Sequence, residues 1–134
     1  MEAKAELEKI QEKMDRDQFI HLVGIEVVEL KRGYAKTRLV IEEKHLNAVQ
    51  VVQGGAIFTL ADYTMALASN TETETALAIE TTMSYLRPVR PGSVLYAESK
   101  ELSRSKRLIS YSIMVQDEKG RDVAFFTGRC FIRQ

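Results

Sequence analysis

The chain of 134 residues carries 19 Lys plus Arg against 19 Asp plus Glu, so its formal net charge is zero. That balance offers no overall field to gather nucleic acid or an anionic membrane surface, and neither is expected as a partner. Hydrophobic residues make up 45% and charged residues 28%, which suits a soluble fold with a buried core, and the length fits one domain over residues 1–134.

The N-terminal stretch "MEAKAELEKIQEKM" is charged throughout and lacks the apolar centre of a signal peptide. Leu7, Ile10 and Met14 recur at helical spacing there, which predicts a short amphipathic helix. Ile25 to Leu30 reads as a strand, followed by a turn at Lys31-Arg32-Gly33. "YAKTRLVI" then alternates Ala35, Thr37, Leu39 and Ile41 against Lys36 and Arg38, the pattern of a half-buried strand. A loop runs to about Gln53, and a helix is expected from Gly54 to Ser69. Its apolar residues surround it almost completely, so it is expected to be buried on most sides. The longest apolar run, Ala56 to Ala68, is too short to span a bilayer and contains Asp62.

Everything after the helix reads as β. A strand from Ala76 stops at Pro88, and Pro91-Gly92 makes a turn. Ser93 to Ser103, Arg107 to Asp117 and Asp122 to Ile132 are further strands, joined by turns at Arg104-Ser105-Lys106 and Glu118-Lys119-Gly120. Short connections between consecutive strands imply antiparallel pairing. The fold class is therefore α+β, an antiparallel sheet wrapped around one central helix, with a short helix at the N-terminus. So small a curled sheet leaves edges exposed, and two copies are expected to pair.

Cys130 is the one cysteine, so no internal disulfide or multi-cysteine metal centre can form, and a reducing, cytoplasmic compartment is expected. It sits in a strand pattern as a small buried residue. His21 and His45 are the only histidines, and neither lies in a motif pairing it with a nucleophile or a metal. No glycine-rich phosphate loop is present.

The segment "HLNAVQVVQGGAIFTLAD", His45 to Asp62, holds the chemistry. No other Asp, Glu, Lys or Arg occurs between Lys44 and Glu72. A carboxylate set in an apolar helix is costly unless paired, hydrogen-bonded or protonated. Asp62 could face water or accept a hydrogen bond from a neighbour such as Thr59. It could also be a reacting group. Gly54 and Gly55 open the helix, where N–H groups without helical partners lie at the positive end of the dipole and could stabilise an oxyanion. The pair could also merely turn the chain. Asn47 could orient a water or a carbonyl through its amide, or bond its own loop. Together the three are a sharper signal than any one.

These residues resemble the hotdog-fold acyl-CoA thioesterases, in the branch similar to the phenylacetate-pathway (PaaI-like) enzymes. That family carries a loop His-x-Asn, a His-Gly-Gly opening the central helix, and an acid about two turns on. "FIHLVGIEVVELKRGYAKTRL" resembles its first strands, "TTMSYLRPVRPG" the strand after the helix, and "DEKGRDVAFFTGRCFI" its last hairpin. The resemblance implies an enzyme that hydrolyses acyl- or aryl-acyl-CoA, with Asp62 as nucleophile or general base. It implies that the Gly54 N–H polarises the carbonyl and that Asn47 places the water or carbonyl. Gln53 stands where the family has histidine. It can hydrogen-bond but takes no proton near neutral pH. Ala78 is expected on the strand facing the acid, with Thr81 and Thr82 nearby.

The resemblance also implies a site shared between two subunits, with a dimer as the minimum unit and a tetramer common. Substrate contacts are expected from Gly55 and from basic residues near turns. Of Arg87, Arg90, Arg104, Lys106 and Arg107, we single out Arg87, Arg104 and Lys106 for the coenzyme A phosphates, unless they are simply solvated turn charges. No metal or cofactor is expected beyond the coenzyme A of the substrate. Gln53 leaves a non-catalytic acyl-CoA-binding domain, a sensor or partner-binding module, as the alternative. A hydratase would want an acid and a histidine together on the helix, and the helix has no histidine.

Overall fold

The computed structural model describes residues 2–71 and 75–133. In chain order its elements are α1 (Glu2–Met14), α2 (Gln18–Val23), β1 (Glu26–Lys31), β2 (Tyr34–Val40), a 3-10 turn (Glu43–His45), α3 (Gly54–Asn70), β3 (Thr75–Tyr85), β4 (Val94–Arg104), β5 (Leu108–Asp117) and β6 (Asp122–Arg133). The strands form one six-stranded antiparallel sheet in the order β1-β2-β4-β5-β6-β3. α3 packs against every strand from one side, so the sheet wraps it. This is the α+β hotdog architecture expected from the sequence.

The core lies between the helix and the inward faces of the strands. Leu60, Ala61, Leu67 and Ala68 of α3 meet Leu39 of β2, Leu95 of β4, Ile113 of β5 and Phe126 of β6, all without solvent exposure. The period-two pattern of β2 is realised, with Ala35, Thr37 and Leu39 inward. Burying a leucine completely contributes roughly 1.5–3 kcal/mol, so Leu60→Ala removes more than any surface change would. At Gly128 of β6 a Cβ would stand 2.5 Å from the Met65 sulfur, so the helix–sheet gap closes there only because the strand has no side chain. Cys130 is buried as expected, and burial pushes its thiol pKa up.

One segment departs from the expectation. Phe19 to Val23, which resembled the approach to a first strand, is the helix α2. The Asp17 carboxylate accepts the Ile20 N–H at 3.2 Å and caps the start. Gly24, at φ 93°, ends the helix by donating its N–H to the Ile20 carbonyl at 2.8 Å. An N-cap aspartate and a glycine seven residues later were a readable helix signal. α1 follows expectation, with Leu7, Ile10 and Met14 partly buried, and the Met14 carbonyl accepts the Tyr63 hydroxyl at 3.4 Å.

β3 is the sheet edge beyond β6. Its 11 residues leave one row of backbone groups without a neighbouring strand among the described residues, and Leu77 and Ile79 are each 58% exposed. No helix among the described residues is long and apolar enough to cross a membrane.

Candidate active site

The loop before α3 is built around Asn47 and His45. The Asn47 side-chain oxygen accepts the N–H of Val49 (2.9 Å) and of Val51 (3.2 Å), folding residues 47–51 onto themselves. That oxygen is therefore spent on the loop, and only the amide N–H2 of Asn47 is left to meet a water or a carbonyl. A bridge between Leu46 and Val52 closes the loop, and the Gln53 N–H donates to the His45 carbonyl at 2.7 Å. His45 is buried, its Nδ1 accepts the Glu42 N–H at 2.9 Å and its Nε2 lies 2.6 Å from the Val23 carbonyl. With Nδ1 accepting, the imidazole is neutral and its proton sits on Nε2, donated to Val23. His45 thus joins the end of α2 to the start of α3 and is a framework residue rather than a reacting one.

Gln53 is the N-cap of α3 in extended geometry, exposed, with no side-chain capping bond. The Ala56 N–H turns back to the Gln53 carbonyl at 2.9 Å, while the Gly54 and Gly55 N–H groups have no acceptor among the described residues. They are the free donors the sequence placed there. Gly54 has a second reason to be glycine. The Tyr85 ring lies 3.1 Å from where its Cβ would stand, and the Tyr85 hydroxyl donates to its carbonyl at 3.0 Å. Gly55 is open, with only Gln53 Cγ at 3.9 Å.

Asp62 lies two turns further on and is half-buried. No hydrogen-bond donor or cation meets its carboxylate among the described residues. The Thr59 hydroxyl, the neighbour that might have paired with it, instead donates to the Gly55 carbonyl at 2.8 Å. Burial, and then the negative charge of Asp17, raise the Asp62 pKa above its ordinary value. The negative charge of Asp62 also raises the thiol pKa of Cys130 on β6, and Ala78 pairs with Cys130 in the β3–β6 ladder. A carboxylate held half out of water without a partner is the form a general base takes.

Within one chain Gly54 and Asp62 cannot serve one carbonyl. Eight residues of helix separate them by about 12 Å along the axis and about 80° around it. The basic residues are likewise divided. Arg87 follows β3 in a cleft of about 340 Å³ with Val52, Gly54, Ile57 and Tyr85. Arg104 ends β4, bound to Glu101 by an ion pair of 2.5 Å, and Lys106 is exposed in the adjoining turn. The register Arg104–Ile109–Cys130–Ala78 puts that turn at the other end of the sheet. Nine residues of extended chain from Ala78 to Arg87 span about 30 Å. The expected basic cluster is therefore two separate groups in a single chain. Arg90 sits with Arg87, Lys119 and Arg121 in a second, more polar cleft.

Among the described residues no group of three or more His, Cys, Asp or Glu could hold a metal ion. Sequence reasoning missed Tyr85 and Asp17 as neighbours of the site, since neither lies in the motif and only folding brings them to it.

Residues 50–124 match the thioesterase superfamily. A relative from Archaeoglobus fulgidus that carries an esterase name is 36% identical over 115 residues, covering 86% of this chain and 75% of its own. The acyl-coenzyme A thioesterase PaaI of Escherichia coli is 29% identical over 115 residues, covering 86% of this chain and 82% of its own. The solved structure of the E. coli PaaI protein, from the phenylacetic acid degradation operon, superposes with a TM-score of 0.92 at 26% identity, over 97% of this chain and 95% of that one.

Proposed function

The chain belongs to the thioesterase superfamily, hydrolases of thioester bonds, and from that premise we propose that it hydrolyses an acyl- or aryl-acyl-CoA to the free acid and coenzyme A. The observation that carries this reading is Asp62, a half-buried carboxylate with no partner among the described residues and a raised pKa. Asp62 takes a proton from water as the water oxygen bonds to the acyl carbon. The developing oxyanion is held by the Gly54 N–H at the positive end of α3. The tetrahedral intermediate then expels the coenzyme A sulfur, which leaves as the thiol with the proton from Asp62. No metal or redox cofactor enters this scheme. Gln53 and the Asn47 amide border the carbonyl as hydrogen-bonding groups, and Gly55 leaves room for the substrate.

The site is completed by a second copy of the chain, Gly54 of one facing Asp62 of the other. The 12 Å helical separation within one chain supports this, as does the apolar edge of β3, which has no neighbouring strand among the described residues. Such pairing would also bring one copy's Arg104 and Lys106 toward the end of the partner's sheet that holds Arg87, making one phosphate-binding rim from two halves. A dimer is then the minimum unit, with a tetramer a further stage, and a cytoplasmic location accords with the lone buried Cys130.

Thiol release from a panel of short, long and aryl acyl-CoAs tests the reading, with Asp62→Asn as control. Turnover by the wild type and its loss in the variant are the expected result. Saturable binding without turnover of any thioester would make the protein an acyl-CoA binder instead.

A further inference from the structure

The corner between α1 and α2 is tied to the middle of α3 by one side chain. The carbonyl of Met14, the last residue of α1, accepts the Asp17 N–H at 3.1 Å and the Tyr63 hydroxyl at 3.4 Å. We propose that Tyr63 is a positioning residue for Asp62: through the Met14 carbonyl it fixes Asp17 near the reacting carboxylate, and that second negative charge keeps Asp62 ready to accept a proton. The inference rests on the thioesterase reading above only for what Asp62 then does with the proton.

Three observations support it. The first is Tyr63 itself, the residue after Asp62 on α3, which is only 5% exposed. A tyrosine buried to that extent needs a partner for its hydroxyl, and Tyr63 finds it 49 positions back at Met14. Burial, and then the charges of Asp17 and Asp15, push its phenol up to about 12. The hydroxyl therefore keeps its proton, and donates it to Met14, across the whole range in which a carboxyl group titrates.

The second is the way Asp17 is held. Its N–H is bonded to the carbonyl that Tyr63 also binds, and its carboxylate accepts the Ile20 N–H at 3.2 Å. Backbone and side chain are thus both fixed, and the charge acts on Asp62 and on Tyr63 alike. Both α1 and α2 pack against α3, so the corner rests on the helix rather than hanging from it.

The third is the chemistry of two carboxylates in one neighbourhood, where a negative charge opposes a second ionisation. Of the two, Asp62 is the one in an apolar helix without a donor among the described residues, so it is the one that takes the proton. The other titratable or charged groups around the pair are Lys13 at the end of α1, Asp15 and Arg16 in the corner, His21 on α2 and Cys130 on β6. His21 Nε2 lies 2.6 Å from the Asp15 carbonyl and 3.5 Å from its carboxylate, so His21 faces Asp15. Asp17 is the group whose charge reaches Asp62 from this corner.

The test titrates the Asp62 carboxyl carbon by NMR in the full chain without substrate, the resonance being assigned by its absence from Asp62→Asn. Tyr63→Phe keeps the ring in the core and leaves the Met14 carbonyl its Asp17 N–H, so this variant should fold. Tyr63→Phe and Asp17→Asn are each expected to move the Asp62 midpoint down toward the ordinary 3.8, and the double variant should go no further than Asp17→Asn alone. With an acyl-CoA, the acid limb of kcat/KM should follow, and its plateau should fall by about threefold as the base weakens. A midpoint that Tyr63→Phe or Asp17→Asn leaves in place would overturn the assignment, as would shifts that simply add in the double variant. Because no substrate is present, the titration is read independently of turnover. Coupled shifts in a protein that hydrolyses no acyl-CoA would sink the reaction and keep the placement, and hydrolysis with an unmoved titration would do the reverse.

Discussion

The Tyr85 hydroxyl donates to the Gly54 carbonyl at 3.0 Å, and the Tyr85 ring occupies the space, 3.1 Å away, that a side chain on residue 54 would need. The end of β3 thus sets the position of the first residue of α3, whose N–H is assigned to the oxyanion. Gly54→Ala is expected to push against that ring, shift the helix start and lower kcat/KM by about tenfold or more, as expected for a misplaced oxyanion donor. Tyr85→Ala should restore part of the loss in the double variant, because it removes the clash. Additive losses in a kinetic double-mutant cycle would show that the two residues are not coupled.

Asp62→Asn should reduce kcat/KM by about 10²–10⁴ while raising Tm. The folded protein disfavours the charged carboxylate, so ionised Asp62 costs stability. With its folded pKa raised, its favourable contribution is fully present below the unfolded pKa and is lost as pH rises through the folded pKa. The gain of the Asn variant should accordingly be seen at neutral pH and vanish in acid, where Asp62 itself is protonated. Each ~1 kcal/mol of relief reads as about 3–5 °C in a chain of this size. Thermal melts of both proteins at acid and neutral pH decide it.

The rise of kcat/KM with pH should follow Asp62 ionisation, with its midpoint above the ordinary aspartate value of 3.8. Asp17 contributes to that elevation through its charge. Asp17→Asn keeps an N-cap for α2 and removes the charge, so the midpoint should move down. An unmoved acid limb would separate the observed titration from Asp62.

A shared site makes a mixing experiment informative. An Asp62→Asn chain and a Gly54→Val chain are each expected to be nearly inactive. Refolded together in equal amounts, half of the dimers are hybrids, each with one intact site, so about one quarter of the sites should work. A mixture no more active than its parts, or a monomer by light scattering that turns over substrate, would confine the site to one chain.

His45→Phe is expected to lower stability by about 1–3 kcal/mol, because the part-buried Glu42 N–H and Val23 carbonyl lose their partner. Denaturant unfolding measures it.

Local pattern alone was enough for the order and kind of almost every element. Period two in Tyr34–Val40, the all-round apolar surface of Gly54–Asn70 and the glycine-bearing turns are each written within a few residues, and the helix begins at the expected Gly54. α2 escaped because six residues are too few for periodicity to register, although its caps were legible. The isolation of Asp62 was likewise a sequence fact, since charge composition needs no fold to be counted.

Whether that isolation meant a free carboxylate or a satisfied one was decided only by the tertiary structure. Thr59 could have bonded to Asp62 or to the helix backbone, and in the folded chain it takes the Gly55 carbonyl one turn back. Asn47 spends its oxygen on its loop, and Arg104 and Lys106 stand about 30 Å from Arg87 although their turns looked like neighbours in sequence. The contact of Tyr85 with Gly54 crosses 31 positions, and that of His45 with Val23 crosses 22. Side-chain identity specifies what a residue can bond to; which partner arrives depends on how strands and helices distant in the chain are brought together when the core is buried.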